Sequence, residues 1–203
     1  MSWLTKMRMR GEPSMKGQQF WTPETVGVFD QWGRPALYQS KDFPHVFLGG
    51  EDDINRVDDI SRIPVCEVID ASILPEPKIW DEETYQAIKP MFKDVVKRII
   101  NAITSLTCPI FVHCKAGMNR SVSTLATAIS ELTGRSVLDV VREMKQQRAN
   151  VSPHDPYLYL AVDSSSHESE ETKEEIRQVL ALPEPFLKTY GNLRDKFKPQ
   201  FPV

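Results

Sequence analysis

An α/β fold, a central and mostly parallel sheet flanked by helices, is what three features of this 203-residue chain predict. Short apolar segments rich in β-branched and aromatic residues, at 44–50, 63–70 and 109–113, read as strands buried in a core. Helical periodicity takes over between and after them, first in Ile88, Phe92, Val95, Val96, Ile99, Ile100 and Ile103, then in Val122, Leu125, Ala126, Ile129 and Leu132. The third strand also runs straight into a helix through the loop Cys114 to Arg120, and loops at the carboxyl ends of parallel strands are where such sheets bind ligands.

The first ten residues carry basic side chains without a following apolar core, so they are expected to form a solvated arm and not a secretory signal. From 11 to 43 the chain is rich in Gly, Pro and polar residues, with Phe20, Trp21, Phe29 and Trp32 spaced singly. Residues 1–43 are therefore expected to be an extension that packs on the core. Residues 44–50 read as a first strand closed by a Gly49-Gly50 turn, with His45 an ordinary strand residue. Asp52, Asp53, Asp58 and Asp59 lack the glycine and terminal glutamate of a calcium loop and read as a solvated acidic segment.

After the strand at 63–70, Leu74 to Pro77 make a turn. Asp81 before Glu82 and Glu83 is a good helix start, in which Pro90 marks a kink or the beginning of a longer half. Gly134 caps the helix that follows the loop. Ser136 to Asp139 has the form of a capping box for a helix carrying Val137, Val140, Val141 and Met144, with Arg142, Lys145 and Arg148 on or near its solvent side. Pro153 to Pro156 turns into a last packing helix from Tyr157. An acidic, Ser-rich stretch over 164–171 then reads as a flexible linker to a proline-containing tail.

The loop carries the chemistry. A strand-to-helix loop turns successive N–H groups toward one point, where the helix dipole also favours an anion. Cys114 at one end is a thiol whose pKa such surroundings lower. Arg120 at the other end offers a planar fork for two phosphate oxygens. Thiolate attack on phosphorus would give a phosphocysteine intermediate, splitting one hard hydrolysis into two steps. Ser121 can donate a hydrogen bond to the sulfur and make it a better leaving group. Lys115, Ala116, Gly117, Met118, Asn119 and Arg120 are the expected phosphate-binding residues.

His113-Cys114-Lys115-Ala116-Gly117-Met118-Asn119-Arg120-Ser121 resembles the signature of the cysteine-dependent protein phosphatases, and its Ala-Gly-x-x-Arg-Ser form resembles the small dual-specificity branch. Arg148 to Asp155 is similar to that branch's Arg-containing segment before a final helix. The resemblance implies a catalytic domain over 44–162, followed by a linker and tail over 163–203. It implies phosphotyrosine and phosphoserine/threonine hydrolysis without metal or cofactor. It also implies a general acid, an Asp about thirty residues before the cysteine and just ahead of a helix. Asp81, 33 residues before Cys114, fits that description best, while Asp70 falls on a strand and Glu82 is a neighbour with longer reach. Some members of the superfamily bridge the catalytic thiol to a cysteine on a neighbouring strand. Cys66 is accordingly either a small core residue or a redox partner of Cys114.

A net charge of −3 gives no pull toward nucleic acid, and no apolar run is long enough to span a bilayer. Three cysteines without a close pairing pattern fit a reducing compartment, so an intracellular protein of the cytoplasm or nucleus is expected. Phosphoproteins, kinases among them, are the expected partners, and the oligomeric state, a dimer included, stays open. The alternatives are a phosphoinositide phosphatase of the same superfamily, for which Lys115 adds charge at the lip, and a phosphoprotein-binding scaffold.

Overall fold

The computed structural model describes residues 37–54, 57, 65–78, 80–148 and 150–174. The four aromatics of the N-terminal extension, Asp58, Asp59 and the tail beyond 174 lie outside the described residues. Four strands, β1 (Tyr38–Gln39), β2 (Val46–Gly50), β3 (Glu67–Asp70) and β4 (Ile110–Cys114), form one sheet in the order β1-β2-β4-β3. β4 is central and parallel to both neighbours, and only the short β1 runs antiparallel at the edge.

Strand alternation divides the sheet's two faces. Val46, Leu48, Ile69, Ile110 and Val112 share the main core with the helices, whereas Phe47, Phe111 and Val68 pack with Leu37, Ile54, Val57 and Val65 on the other side. The helices are α1 (Glu82–Ser105), α2 (Arg120–Thr133), α3 (Val137–Gln147) and α4 (Asp155–Ser164). Asp81 caps α1 by accepting from the Thr84 N–H at 2.8 Å, and Glu82 and Glu83 in the first turn complement the dipole. The helix continues through Pro90, which is exposed.

α2 is the central helix, buried from Ser121 through Ser130. Its apolar stripe was legible, but Ser123, Thr124, Thr127 and Ser130 are buried as well, because α1, α3 and α4 all pack around it. The threonines turn their hydroxyls back on the helix's own carbonyls, as Thr127 does to Ser123 O at 2.9 Å. Gly134 ends the helix in the left-handed conformation, φ 77°, as expected.

Three expectations are corrected. The capping box of α3 is not closed by Asp139, which pairs with Arg142 at 2.6 Å; Glu168 instead accepts from the Val137 N–H at 2.6 Å and from the Ser136 hydroxyl at 3.0 Å. The Ser-rich stretch is therefore no flexible linker over 165–168. Ser165 is buried against the Ser130 hydroxyl at 2.9 Å, and the Ser166 N–H donates to Glu131. Third, Cys66 does not partner Cys114. It forms a disulfide with Cys108, Cα to Cα 6.0 Å, leaving Cys114 as the free cysteine. The register explains this: Cys66 and Cys108 lie at the amino ends of the parallel β3 and β4, and Cys114 stands at the carboxyl end, about 20 Å away along the strand.

Candidate active site

The loop between β4 and α2 is built from its seat upward. Gly49 and Gly50 are not a turn but the end of β2, paired in register with His113 and Cys114. The loop lies directly on them. Gly117 has φ +63°, and a Cβ there would stand 2.2 Å from the Gly49 carbonyl, so only glycine fits. The Lys115 carbonyl accepts from the Glu51 N–H at 3.2 Å, and the Met118 carbonyl from the Ser152 N–H at 3.1 Å.

Arg148 holds the carbonyls between them. Its guanidinium donates to Gly117 O and, at 3.2 Å, to Ala116 O, and it lies 3.8 Å from Asp53. Asp53 in turn accepts from the Gly50 N–H at 2.8 Å. Only 4 % of Arg148 is exposed, which corrects the solvent-side assignment made from helical spacing. The position falls just past α3, where the chain turns inward. With the carbonyls from Lys115 to Met118 all engaged on the outside, the peptide N–H groups face in, which makes the loop an anion-binding nest.

Cys114 stands at the centre of that nest. Burial alone would push its thiol pKa up, but the Ser121 hydroxyl, 3.2 Å from Sγ, and the N–H groups of Ser121, Asn119 and Met118 stabilise the thiolate, and the net shift is downward. Iodoacetamide should therefore alkylate Cys114 with a pH midpoint below the ordinary thiol value of about 8.5. In Ser121→Ala the midpoint should rise, because one donor to the thiolate is gone. An unshifted wild-type midpoint in a pH series of alkylation rates would refute this electrostatic picture.

Arg120 is aimed by its surroundings. Nη1 donates to the carbonyls of Ser72 (3.3 Å) and Leu74 (2.9 Å), and Nη2 lies 3.6 Å from Glu76. Nε is buried and has no partner. A buried guanidinium N–H without an acceptor is a donor left available for an oxyanion. The loop 71–77 that receives Arg120 is itself tied down: Tyr157 donates to Pro75 O, and Glu76 accepts from Asn119 Nδ2 at 3.3 Å. Asn119 also accepts from the His154 N–H at 2.8 Å, so its side chain is a strut between loops and its backbone N–H is the part that faces the thiol. Lys115, Ala116 and Met118 are exposed on the rim.

The carboxylates divide. Asp81 is fully exposed, its oxygen holds the α1 cap, and the hydroxyl and N–H of Thr84 keep its carboxyl below the usual range. No hydrogen bond or ion pair of Asp81 reaches the loop among the described residues. Asp70, set aside from sequence as a strand residue, is the register partner of His113 and lies 3.9 Å from its Nδ1. It caps the turn Ala71–Ile73, accepting from the Ser72 N–H at 2.7 Å, and the carbonyl of that same Ser72 receives Arg120. The signal that could have singled out Asp70 is its place at the carboxyl end of the strand beside β4. Among the described residues, no three His, Cys, Asp or Glu side chains cluster as a metal site, and no helix is long and apolar enough to cross a membrane.

Comparisons with known proteins bear on the same region. The family model described as "Dual specificity phosphatase, catalytic domain" matches residues 53–179. Dual specificity protein phosphatase 8 of Mus musculus is 27% identical over 135 residues, 61% of this chain and 20% of that protein. Protein phosphatase Slingshot homolog 3 of Homo sapiens is 26% identical over 130 residues, 59% of this chain and 19% of that protein. The chain thus spans about a fifth of the length of these relatives. A solved structure of DUSP15 aligns with 68% of this chain and 94% of its own, at 20% identity and a TM-score of 0.49. Because the family model covers more than half of the chain and includes the whole thiol-to-guanidinium loop, the chain belongs to the dual specificity phosphatase catalytic-domain family.

Proposed function

We propose that this chain hydrolyses phosphate monoesters on protein tyrosine, serine and threonine side chains through a phosphocysteine intermediate. The observations that carry the reading are the free thiol held by three amide donors at one end of the loop and, at the other end, the buried Arg120 Nε that has no hydrogen-bond partner. In the first step the Cys114 thiolate attacks phosphorus while Arg120 and the loop amides from Lys115 to Arg120 hold the equatorial oxygens. The P–O bond to the leaving group breaks, and that oxygen takes a proton from a carboxylic acid. In the second step the same carboxylate accepts a proton from water, which attacks phosphorus. The P–S bond breaks, Ser121 stabilises the departing thiolate, and phosphate leaves.

Asp70 is the acid this geometry supports, since it flanks the loop through His113 and Ser72. The spacing that favours Asp81 retains one supporting observation, its adjacency to Trp80, which lines a cavity bordered by Asn119. The two separate by leaving-group dependence. Asp70→Asn should lower kcat toward phenyl phosphate and phosphopeptides about 10²-fold or more while largely sparing an activated aryl ester that needs no proton, and Asp81→Asn should stay within about threefold. The reverse pattern would return the role to Asp81.

The catalytic unit is proposed to take in 44–162 together with β1, which pairs with β2, and residues 163–168, which complete α4, pack on Ser130 and cap α3. The substrates are phosphoproteins, and phosphorylated kinases fall within that class; the Cys66–Cys108 disulfide counts against the reducing-compartment argument for the cytoplasm or nucleus. Initial rates for a phosphotyrosine peptide, a phosphothreonine peptide and a short-chain phosphoinositide test the reading. Turnover of both peptides is expected; preference for the lipid would overturn the protein assignment.

A further inference from the structure

Asn119 is shared between the nest and a cavity of about 350 Å³ lined by Glu76, Pro77, Lys78, Trp80, His154 and Tyr157. Its aromatic walls are firm: Trp80 and Tyr157 are nearly fully buried and meet edge to face, with centroids 5.2 Å apart. Glu76 stands between cavity and nest. One of its oxygens accepts from Asn119 at 3.3 Å and lies 3.7 Å from His154 Nδ1; the other is 3.6 Å from Arg120. In this state Glu76 is the carboxylate beside the guanidinium. A bound phosphate dianion would claim Arg120, and Glu76 would then face two further negative charges across a few ångströms.

A positive substrate group in the cavity relieves that repulsion, and a second anionic group worsens it. The apolar walls suit the stem of a long amphipathic side chain. We infer that this cavity is the subsite for the substrate residue flanking the phosphorylated one, and that it takes a basic side chain, arginine or lysine, with its head at Glu76. The inference rests on the protein-phosphatase reading and names the substrate class within it. Lys78 adds positive charge to the lining. The preference therefore hangs on one carboxylate: without it the lining becomes cationic and selects an acidic residue.

The test uses phosphotyrosine peptides that differ only in carrying Arg, Ala or Glu at each of the positions flanking the phosphorylated residue. At the best position, wild type should favour Arg over Glu by about tenfold in kcat/KM. Glu76→Gln should bring that ratio to about one or invert it, and Trp80→Leu, which alters the apolar wall, should weaken the gain from Arg over Ala. A ratio near one at every position in wild type, or a preference that survives Glu76→Gln, overturns the subsite while peptide turnover itself leaves the underlying reading standing. Hydrolysis of a small aryl phosphate with no turnover of any peptide overturns both.

Discussion

Cys114→Ser is expected to abolish hydrolysis, lowering kcat about 10⁴-fold or more against any phosphomonoester the wild type turns over. The serine hydroxyl would receive the same donors, from Ser121 and the amides of Met118, Asn119 and Ser121, but an alcohol does not ionise at neutral pH as the stabilised thiol does. The substitution is close to isosteric at the strand position paired in register with Gly50, so the fold should survive. A thermal melt beside the rate measurement separates lost chemistry from lost structure. Retention of even about 1 % of wild-type kcat would show that the thiolate is not the nucleophile.

Arg120→Lys is expected to be nearly as damaging, at about 10²–10³-fold in kcat, although it conserves charge. Nη1 of Arg120 spans the Ser72 and Leu74 carbonyls while Nε is left for the ligand, and one ammonium cannot do both. The loss should fall on kcat more than on KM, because the fork follows charge that spreads over the phosphoryl oxygens only as the transition state forms. Inhibition by orthovanadate, which mimics that five-coordinate arrangement, should weaken in parallel. A lysine variant that keeps kcat within tenfold of wild type would mean that the amides carry the clamp alone.

How far the sequence could lead is visible at particular residues. The strand-loop-helix unit from Ile110 to Thr133 was legible because its apolar pattern changes period at the loop and because Gly117 and Gly134 stand where a positive φ is needed. The N-cap role of Asp81 was legible too, since capping is local. What escaped was long-range. Arg148 reads as a solvated helix charge until β2, the loop and α3 are assembled, when it becomes the buried clasp on Ala116 and Gly117. Glu168, in an acidic stretch with every local mark of a linker, caps α3 from 31 positions away. The contacts of Asp70 and Cys66 escaped for one shared reason: strand order and direction decide which ends meet, and composition does not encode that order. β3 lies beside β4 in parallel, so Asp70 comes level with His113 at the carboxyl end and Cys66 lies at the opposite end with Cys108.

The most direct measurement is to trap the intermediate. Wild type and Ser121→Ala are mixed rapidly with a phosphotyrosine peptide, quenched in acid during turnover, digested and read by mass spectrometry. One phosphoryl group on Cys114 is expected, at higher occupancy in Ser121→Ala because the thiolate leaves more slowly without its hydroxyl donor. Turnover with Cys114 unmodified at every quench time, or the phosphoryl group on another residue, would contradict the phosphocysteine mechanism.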